Sequence, residues 1–380
     1  MMPMPVRRTL RRWNRLYRET RVVAQALREK DHPVFAHVVV TRRCNLACTY
    51  CSEFDDHSQP VPTEELLKRI DKLAALGTTT VTITGGETLL HPELELVIAR
   101  IRSYRMIAVM ITNGYLLSVD RIKSLNKAGL DRMQISIDNI EPDDVSMKSL
   151  RILDLRLRWL AEHAEFPVHI HSVVGAGTSK PADVIQIQSR ARQLGHLSTA
   201  GIVHDATGHI LPIDEESRRV LKQVEGSTKS AFSFARHNPW RAKLLAGKPN
   251  DWHCPAGGRH LYICEFGLVH YCMSQRGYPA IPLEKYTLED CIREAKKPKA
   301  CAPYCTIFCV HRIAWVDRLR ENPSQALTEL FPPQEGSDQP AIPAPVRALT
   351  ALFAAPKPGS KPSGATLAFR KAAMRLLKIS

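Results

Sequence analysis

The chain has 380 residues, 44% of them apolar, ten cysteines and a net charge of +15. That length suits one large domain with appendages, and the apolar share is enough for a sizeable core. No apolar run is long enough to span a membrane, and the basic N-terminus lacks the apolar stretch of a secretory signal. The cysteines are therefore read for a reducing compartment, as metal ligands before disulfides.

In chain order, residues 8–30 predict a helix. Leu10, Trp13, Leu16, Tyr17, Val23, Ala24 and Leu27 recur at helical spacing, and Arg7, Arg8, Arg11, Arg12, Arg15, Arg18 and Arg21 fill the rest. Asp31-His32-Pro33 ends it. β-rich runs at 34–40, 79–84, 107–112, 133–138, 168–174 and 199–204 then alternate with helical patterns at 62–76, 91–104, 119–127, 147–164, 181–194 and 214–226. Short connections and right-handed crossovers turn such a series into a parallel sheet flanked by helices, here a partial (β/α)6 barrel of α/β class. The polar and glycine motifs fall at the C-terminal ends of the strands, where such sheets place their ligands.

The first of these motifs is Cys44-Asn45-Leu46-Ala47-Cys48-Thr49-Tyr50-Cys51, directly after the first strand. Its C-x3-C-x2-C spacing puts three thiolates on one tight loop, enough for three corners of a cubane cluster with the fourth iron open. A zinc site would need a fourth ligand, and His57 is the nearest candidate.

This run resembles the signature of the radical S-adenosylmethionine (SAM) superfamily, and the similarity extends over residues 34–205. The resemblance implies a [4Fe–4S] cluster on Cys44, Cys48 and Cys51, with the amino and carboxylate groups of SAM on the open iron. It assigns Gly85-Gly86-Glu87 to the SAM amino group. Thr112, Asn113, Ser136 and Asp138 fall near its ribose and methionine parts, and Tyr50 near its adenine. Glycines admit close backbone approach, and a glutamate can accept from an ammonium. His169 and His171 alternate on one face of the fifth strand and are candidates to point into the cavity. No catalytic acid or base is assigned.

Residues 253–311 hold a second cysteine group. Tyr262-Ile263 and Leu268-Val269 flank a Glu-Phe-Gly turn, predicting a hairpin with Cys254 and Cys272 near its ends, followed by Cys301, Cys305 and Cys309. The region is similar to the SPASM and twitch extensions of radical SAM enzymes. That similarity implies at least one auxiliary [4Fe–4S] cluster on Cys254, Cys272 and two of Cys301, Cys305 and Cys309. The run C-x3-C-x3-C departs from the full SPASM pattern. A second cluster would need the remaining cysteine with Cys264, Cys291 or His311, and a structural zinc ribbon is the competing reading.

The expected division is a basic amphipathic helix at 1–33, the barrel at 34–226, a connecting helical segment at 227–252, a Cys-rich α+β auxiliary-cluster domain at 253–320, a Pro/Ala-rich linker at 321–364 and a basic amphipathic helix at 365–380. The resemblance implies reductive cleavage of SAM to a 5′-deoxyadenosyl radical that takes hydrogen from a substrate carbon. The outcome would be oxidation, cross-linking or epimerisation. A flavodoxin or ferredoxin-type donor and a peptide substrate are the implied partners. The residues before the first strand are fewer than a winged-helix peptide-binding domain requires, so a peptide would need separate recognition or none. The basic ends offer an alternative, a lipid or lipid-linked substrate at an anionic membrane surface. The expected location is cytoplasmic, with peripheral placement at the inner membrane face in that alternative. A zinc-dependent nucleic-acid-binding protein is the reading of another class. It accounts for charge and cysteines but not for the strand-end motifs, so nucleic acid is not an expected partner.

Overall fold

A computed structural model describes residues 4–175, 180–205, 210, 213–226, 239–331, 342–353, 364, 367–368 and 371–372. Six parallel strands, β1 (Phe35–Val39), β2 (Thr80–Thr84), β3 (Ile107–Thr112), β4 (Arg132–Ser136), β5 (Val168–Val174) and β6 (Leu197–Ile202), lie side by side in sequence order. The crossovers carry α2 (Thr63–Ala75), α3 (Leu94–Ser103), α4 (Val119–Ala128), α5 (Leu150–His163) and α6 (Asp183–Gln193), and α7 (Glu215–Gly226) follows.

Alternation along the strands decides which face holds the site. Ala36, Val38, Val81, Ile83, Ala108, Met110, Met133, Ile135, Val168 and Ile170 bury one face against Ile70, Leu73, Leu94, Ile98, Ile101, Leu125 and Leu157 of the helices. Each fully buried Leu or Ile there contributes about 1.5–3 kcal/mol. The out-of-phase positions, His37, Gln134, Ser136, His169 and His171, are half-buried on the opposite face.

Boundaries shift where chemistry intervenes. The helix expected from residue 91 begins at Leu94, because Pro92 holds His91 extended at φ −70° and ψ 122°. The helix expected from residue 147 begins at Leu150, because Lys148 and Ser146 are drawn toward Asp138.

The cysteine-rich region is not set apart from the barrel. β7 (His260–Ile263) pairs in parallel with β1, Phe35 opposite His260, and β8 (Leu268–His270) and β9 (Pro279–Pro282) extend the same nine-stranded sheet as antiparallel strands. The predicted hairpin is present as β7–β8. α8 (Pro239–Leu245) falls within the expected connecting segment, and α9 (Leu288–Lys296) packs Cys291 into the main core.

The linker expected at 321–364 is corrected in part. α10 (Phe308–Glu321) continues into α11 (Pro323–Leu330), and α12 (Ala344–Phe353) buries Val346 and Thr350. Most of the helix expected at 365–380, like 227–238 of the connecting segment, lies outside the described residues.

The N-terminal half of α1 (Met4–Arg28) caps the barrel with the opposite face from the one expected. Its arginines turn inward. Arg8 donates to the carbonyls of Ala161, Glu162 and Ala164 at 2.6, 2.8 and 3.0 Å, which terminates α5. Arg11 pairs with Glu165 at 2.5 Å, and Arg18 donates to both oxygens of Asp131. Leu10 and Trp13 are left 50% and 65% exposed, whereas Ala24 and Leu27 near the C-terminal end pack against Ala314 and Trp315 of α10. Arg7, Arg8, Arg11 and Arg18, part of the charge that suggested an anionic surface, are therefore engaged with the barrel. No helix among the described residues is long and apolar enough to cross a membrane.

The end of α1 is secured by Arg259, whose buried guanidinium donates to the carbonyls of Ala26, Glu29 and His32 at 2.8–2.9 Å and pairs with Asp317. His32 lies beside it, and burial followed by the Arg259 charge pushes its pKa down to about 3. Unfolded histidine titrates near 6.5. Below that pH the unfolded chain takes up a proton that the folded chain refuses, so stability is lost as pH falls from about 6.5 toward 3. The expected slope for this group is up to about 1.4 kcal/mol per pH unit. Denaturant melts at pH 7 and pH 5 should show it, with a shallower fall in His32→Gln. Equal falls in both proteins would remove the assignment.

Candidate functional site

The loop after β1 is closed on itself. Cys44 N–H donates to Asp55 O at 2.9 Å, Asp55 N–H to Arg42 O at 2.9 Å, and Cys51 N–H to Cys48 O at 3.0 Å. The thiols of Cys44, Cys48 and Cys51 are near neighbours, close enough that Cys48 and Cys51 both raise the pKa of Cys44, and Cys48 that of Cys51. Burial, the largest cause, pushes Cys44 up to about 11 and Cys51 upward as well. Left alone, such thiols stay protonated. A donor set of this kind becomes thiolate when a cation such as cluster iron is supplied, and three neighbouring thiols are the donors that three corners of a cubane require.

Gly85 and Gly86 pack against this loop. Gly86 N–H donates to Thr41 O at 2.8 Å and Glu87 N–H to Arg43 O at 2.9 Å. A Cβ on Gly86 would lie 2.2 Å from Arg42 O and 2.4 Å from Arg43 O, and Gly85 has φ +142°. The close approach that requires glycine is thus to the cysteine loop itself. Glu87 is fully buried. Its Oε1 accepts from Leu89 N–H at 2.9 Å and Thr112 Oγ1 at 2.6 Å, and its Oε2 from Asn113 N–H at 2.7 Å. The carboxylate expected to face an ammonium instead ties the end of β2 to the end of β3. Asn113 then reaches the loop, donating from Nδ2 to Asn45 Oδ1 at 2.8 Å and lying 3.8 Å from Cys44 Sγ.

A second polar knot forms beyond β4. Asp138 Oδ2 accepts from Tyr50 Oη and from Ser146 Oγ at 2.8 Å, and pairs with Lys148 Nζ at 3.2 Å. Lys148 also donates to Tyr50 Oη and lies over its ring at 4.8 Å. Ser146 Oγ is 3.7 Å from Cys48 Sγ, so the knot abuts the cysteine loop. Asp138 Oδ1 is buried and has no hydrogen-bond partner among the described residues. Ser136 ends β4 half-buried on the same sheet face as His171, its register partner. Burial holds His171 near pKa 4, and Thr199 Oγ1 bonds both His171 Nδ1 and His169 Nε2, at 3.0 and 2.9 Å. Lys148 and Ser146 were missed by sequence reasoning. A cluster of polar residues following a strand end that carries Asp138 was the available signal.

In the C-terminal region, Cys254, Cys272 and Cys305, each 6% exposed, pack together with Cys309 beside them. The half-buried Cys301 lies within the field of both Cys254 and Cys305. Burial raises all five thiols, Cys254 to about 11 and Cys309 to about 12. Cys264 and Cys291, considered for a second cluster, sit elsewhere. Cys264 packs with Val39 and Tyr262, and Cys291 in the main core. His311 is buried edge-on to Trp240 and Trp252 at 5.2 and 4.8 Å.

Residues 38–203 match the Radical SAM superfamily profile. The chain carries a radical SAM domain. The superfamily uses SAM and a [4Fe–4S] cluster. Among curated proteins, the chain is similar to GTP 3′,8-cyclase of Helicobacter pylori (strain HPAG1), 35% identical over 118 residues, 29% of this chain and 36% of that protein. It is also similar to PqqA peptide cyclase of Granulibacter bethesdensis, 30% identical over 142 residues, 36% of this chain and 38% of that protein. The match spans little more than a third of either relative. Among solved structures, SuiB of Streptococcus suis bound to precursor peptide SuiA aligns at TM-score 0.55 and 13% identity, over 77% of this chain and 74% of that one. Native anSMEcpe with bound AdoMet aligns at TM-score 0.52 and 14% identity, over 73% and 88%. At such identities the likeness is one of fold, and both alignments run well beyond the radical SAM domain.

Proposed function

We propose that this chain cleaves SAM reductively and abstracts hydrogen from a carbon of a peptide substrate. The observation that carries the reading is the convergence of Cys44, Cys48 and Cys51 against the Gly85–Glu87 turn, with a second thiol pocket on the same sheet. Bound by those three cysteines, the reduced cluster and SAM would supply a 5′-deoxyadenosyl radical. The chain's own residues set the stage. Glu87 positions Thr112 and Asn113, and Asn113 holds Asn45 in the cysteine loop. Asp138 keeps Tyr50 and Lys148 in place and offers its unpartnered Oδ1 to a hydroxyl or ammonium of SAM. The Lys148 charge favours thiolate at Cys51. Cys254, Cys272, Cys301 and Cys305 would hold one auxiliary [4Fe–4S] cluster, able to take an electron from a substrate radical. A flavodoxin or ferredoxin, acidic against a chain of net charge +15, is the proposed electron donor.

A peptide is favoured over a lipid because Arg7, Arg8, Arg11 and Arg18 of α1 are engaged with the barrel. In addition, a relative named PqqA peptide cyclase and the peptide-bound SuiB structure share the domain or the fold. The test is anaerobic incubation of the iron–sulfur-loaded protein with SAM and dithionite. 5′-Deoxyadenosine should form and be absent with Cys48→Ala. A protein holding its iron and sulfide that yields no more 5′-deoxyadenosine than this variant would end the reading.

A further inference from the structure

His37, His260 and Cys309 come from three separate elements, β1, β7 and the first turn of α10, and meet at one point. His37 Nδ1 lies 3.0 Å from His260 Nε2, Cys309 Sγ lies 3.4 Å from the same Nε2, and all three atoms fall within 4.8 Å of one another. His260 is buried, and its other nitrogen, Nδ1, is 3.0 Å from the carbonyl of Tyr271. A carbonyl only accepts, so the His260 proton sits on Nδ1 and Nε2 presents a bare lone pair. Ligating histidines are commonly oriented and tautomerically fixed through this kind of backbone bond. That one lone pair faces two groups, the His37 Nδ1–H and the Cys309 thiol. It can accept well from one of them.

A metal ion resolves the conflict. Two imidazoles and one thiolate are zinc-class donors, and tetrahedral zinc with metal–nitrogen bonds of about 2.0 Å and metal–sulfur bonds of about 2.3 Å separates its ligand atoms by roughly 3.3–3.6 Å. The two separations from His260 Nε2, 3.0 and 3.4 Å, are close to those edges. We propose that His37, His260 and Cys309 bind one zinc-class divalent ion on the sheet face opposite the helices. On binding, Cys309 gives up its thiol proton to solvent and the His37 proton moves to Nε2. No fourth His, Cys, Asp or Glu joins the group among the described residues, so a coordination position stays available to water or to an oxygen of a bound molecule. The ion would also fasten α10 to the junction of β1 and β7.

The proposal takes Cys309 out of the auxiliary set and leaves Cys254, Cys272, Cys301 and Cys305 for the cluster. To that extent it rests on the reading above, and the measurements keep the two apart. The full chain, purified anaerobically with its iron–sulfur content, is loaded with Zn2+, and zinc-edge X-ray absorption is recorded, to which iron is silent. The expected result is one zinc per chain with a single sulfur and two imidazole nitrogens in its first shell. His37→Gln and His260→Gln should each weaken zinc binding at least tenfold with iron and sulfide unchanged, and Cys309→Ala should remove the sulfur scatterer with iron and sulfide also unchanged. Thermal melts of the glutamine variants confirm that they fold. A fall in iron and sulfide with Cys309→Ala matching that of Cys272→Ala overturns the proposal, as does zinc binding indifferent to both histidines. If instead Cys272→Ala leaves iron and sulfide untouched, the auxiliary cluster is wrong, while a one-sulfur, two-imidazole zinc site still stands on its own.

Discussion

Gly86→Ala is expected to cost the protein its first cluster. The added Cβ would sit 2.2 Å from Arg42 O, 2.4 Å from Arg43 O and 2.6 Å from Arg43 C, all backbone atoms of the cysteine loop. A flexible side chain could swing away, but backbone held on both sides cannot. Gly86 N–H is bonded to Thr41 O and Glu87 N–H to Arg43 O, and Arg42 O accepts from Asp55 N–H. Relief requires moving the loop off the end of β2, and overpacking of this kind costs about 1–3 kcal/mol or more. Chemistry suffers further than stability, because the displaced segment runs directly into Cys44. Anaerobic reconstitution should leave the variant short of about four iron and four sulfide per chain, one cubane's worth, and 5′-deoxyadenosine formation should drop at least a hundredfold. Wild-type iron content with wild-type turnover in Gly86→Ala would refute this account of the turn.

Asp138→Ala is the second large effect. Asp138 is 6% exposed and pairs with a Lys148 ammonium whose side chain is only 13% exposed. Burial disfavours the lysine charge, yet Asp138, Tyr50 and Cys48 together more than compensate and the Lys148 pKa is raised. Removing one partner of a buried pair strands the other, at a cost of about 3–5 kcal/mol. The loss should appear as a lower denaturation midpoint with an unchanged slope, together with weakened SAM binding. Asp138→Ala with Lys148→Met should recover part of the stability, since no charge is then left buried, but not the SAM affinity. If the single variant unfolds like wild type, the network is not holding the loop.

The barrel was legible where local chemistry and position agree. The β-branched run of β2 stops at two glycines, α4 is closed by Gly129 at φ +91°, and the cysteine loop follows β1 at once. The end of the chain was harder for a physical reason. α10 buries Val310, His311, Ile313, Ala314, Trp315 and Leu319, so no single apolar stripe marks it, and its first turn carries a cysteine that drew attention to metal binding instead. The N-terminal half of α1 misled in the other direction. Its periodicity gave a helix correctly, but the packed face was chosen by carbonyls and carboxylates that arginine alone could satisfy, from Ala161 to Glu165 and at Asp131. Lys148 and Ser146 escaped because their partner, Asp138, lies across a loop rather than along a periodic element.

The pairing of β7 with β1 has a mechanical meaning. The strand that launches Cys44 and the strand between Cys254 and Cys272 are laced together along Phe35–Val38 and His260–Ile263. A shift of either strand is thereby carried to the other, which ties the spacing of the two cysteine groups to one run of backbone hydrogen bonds.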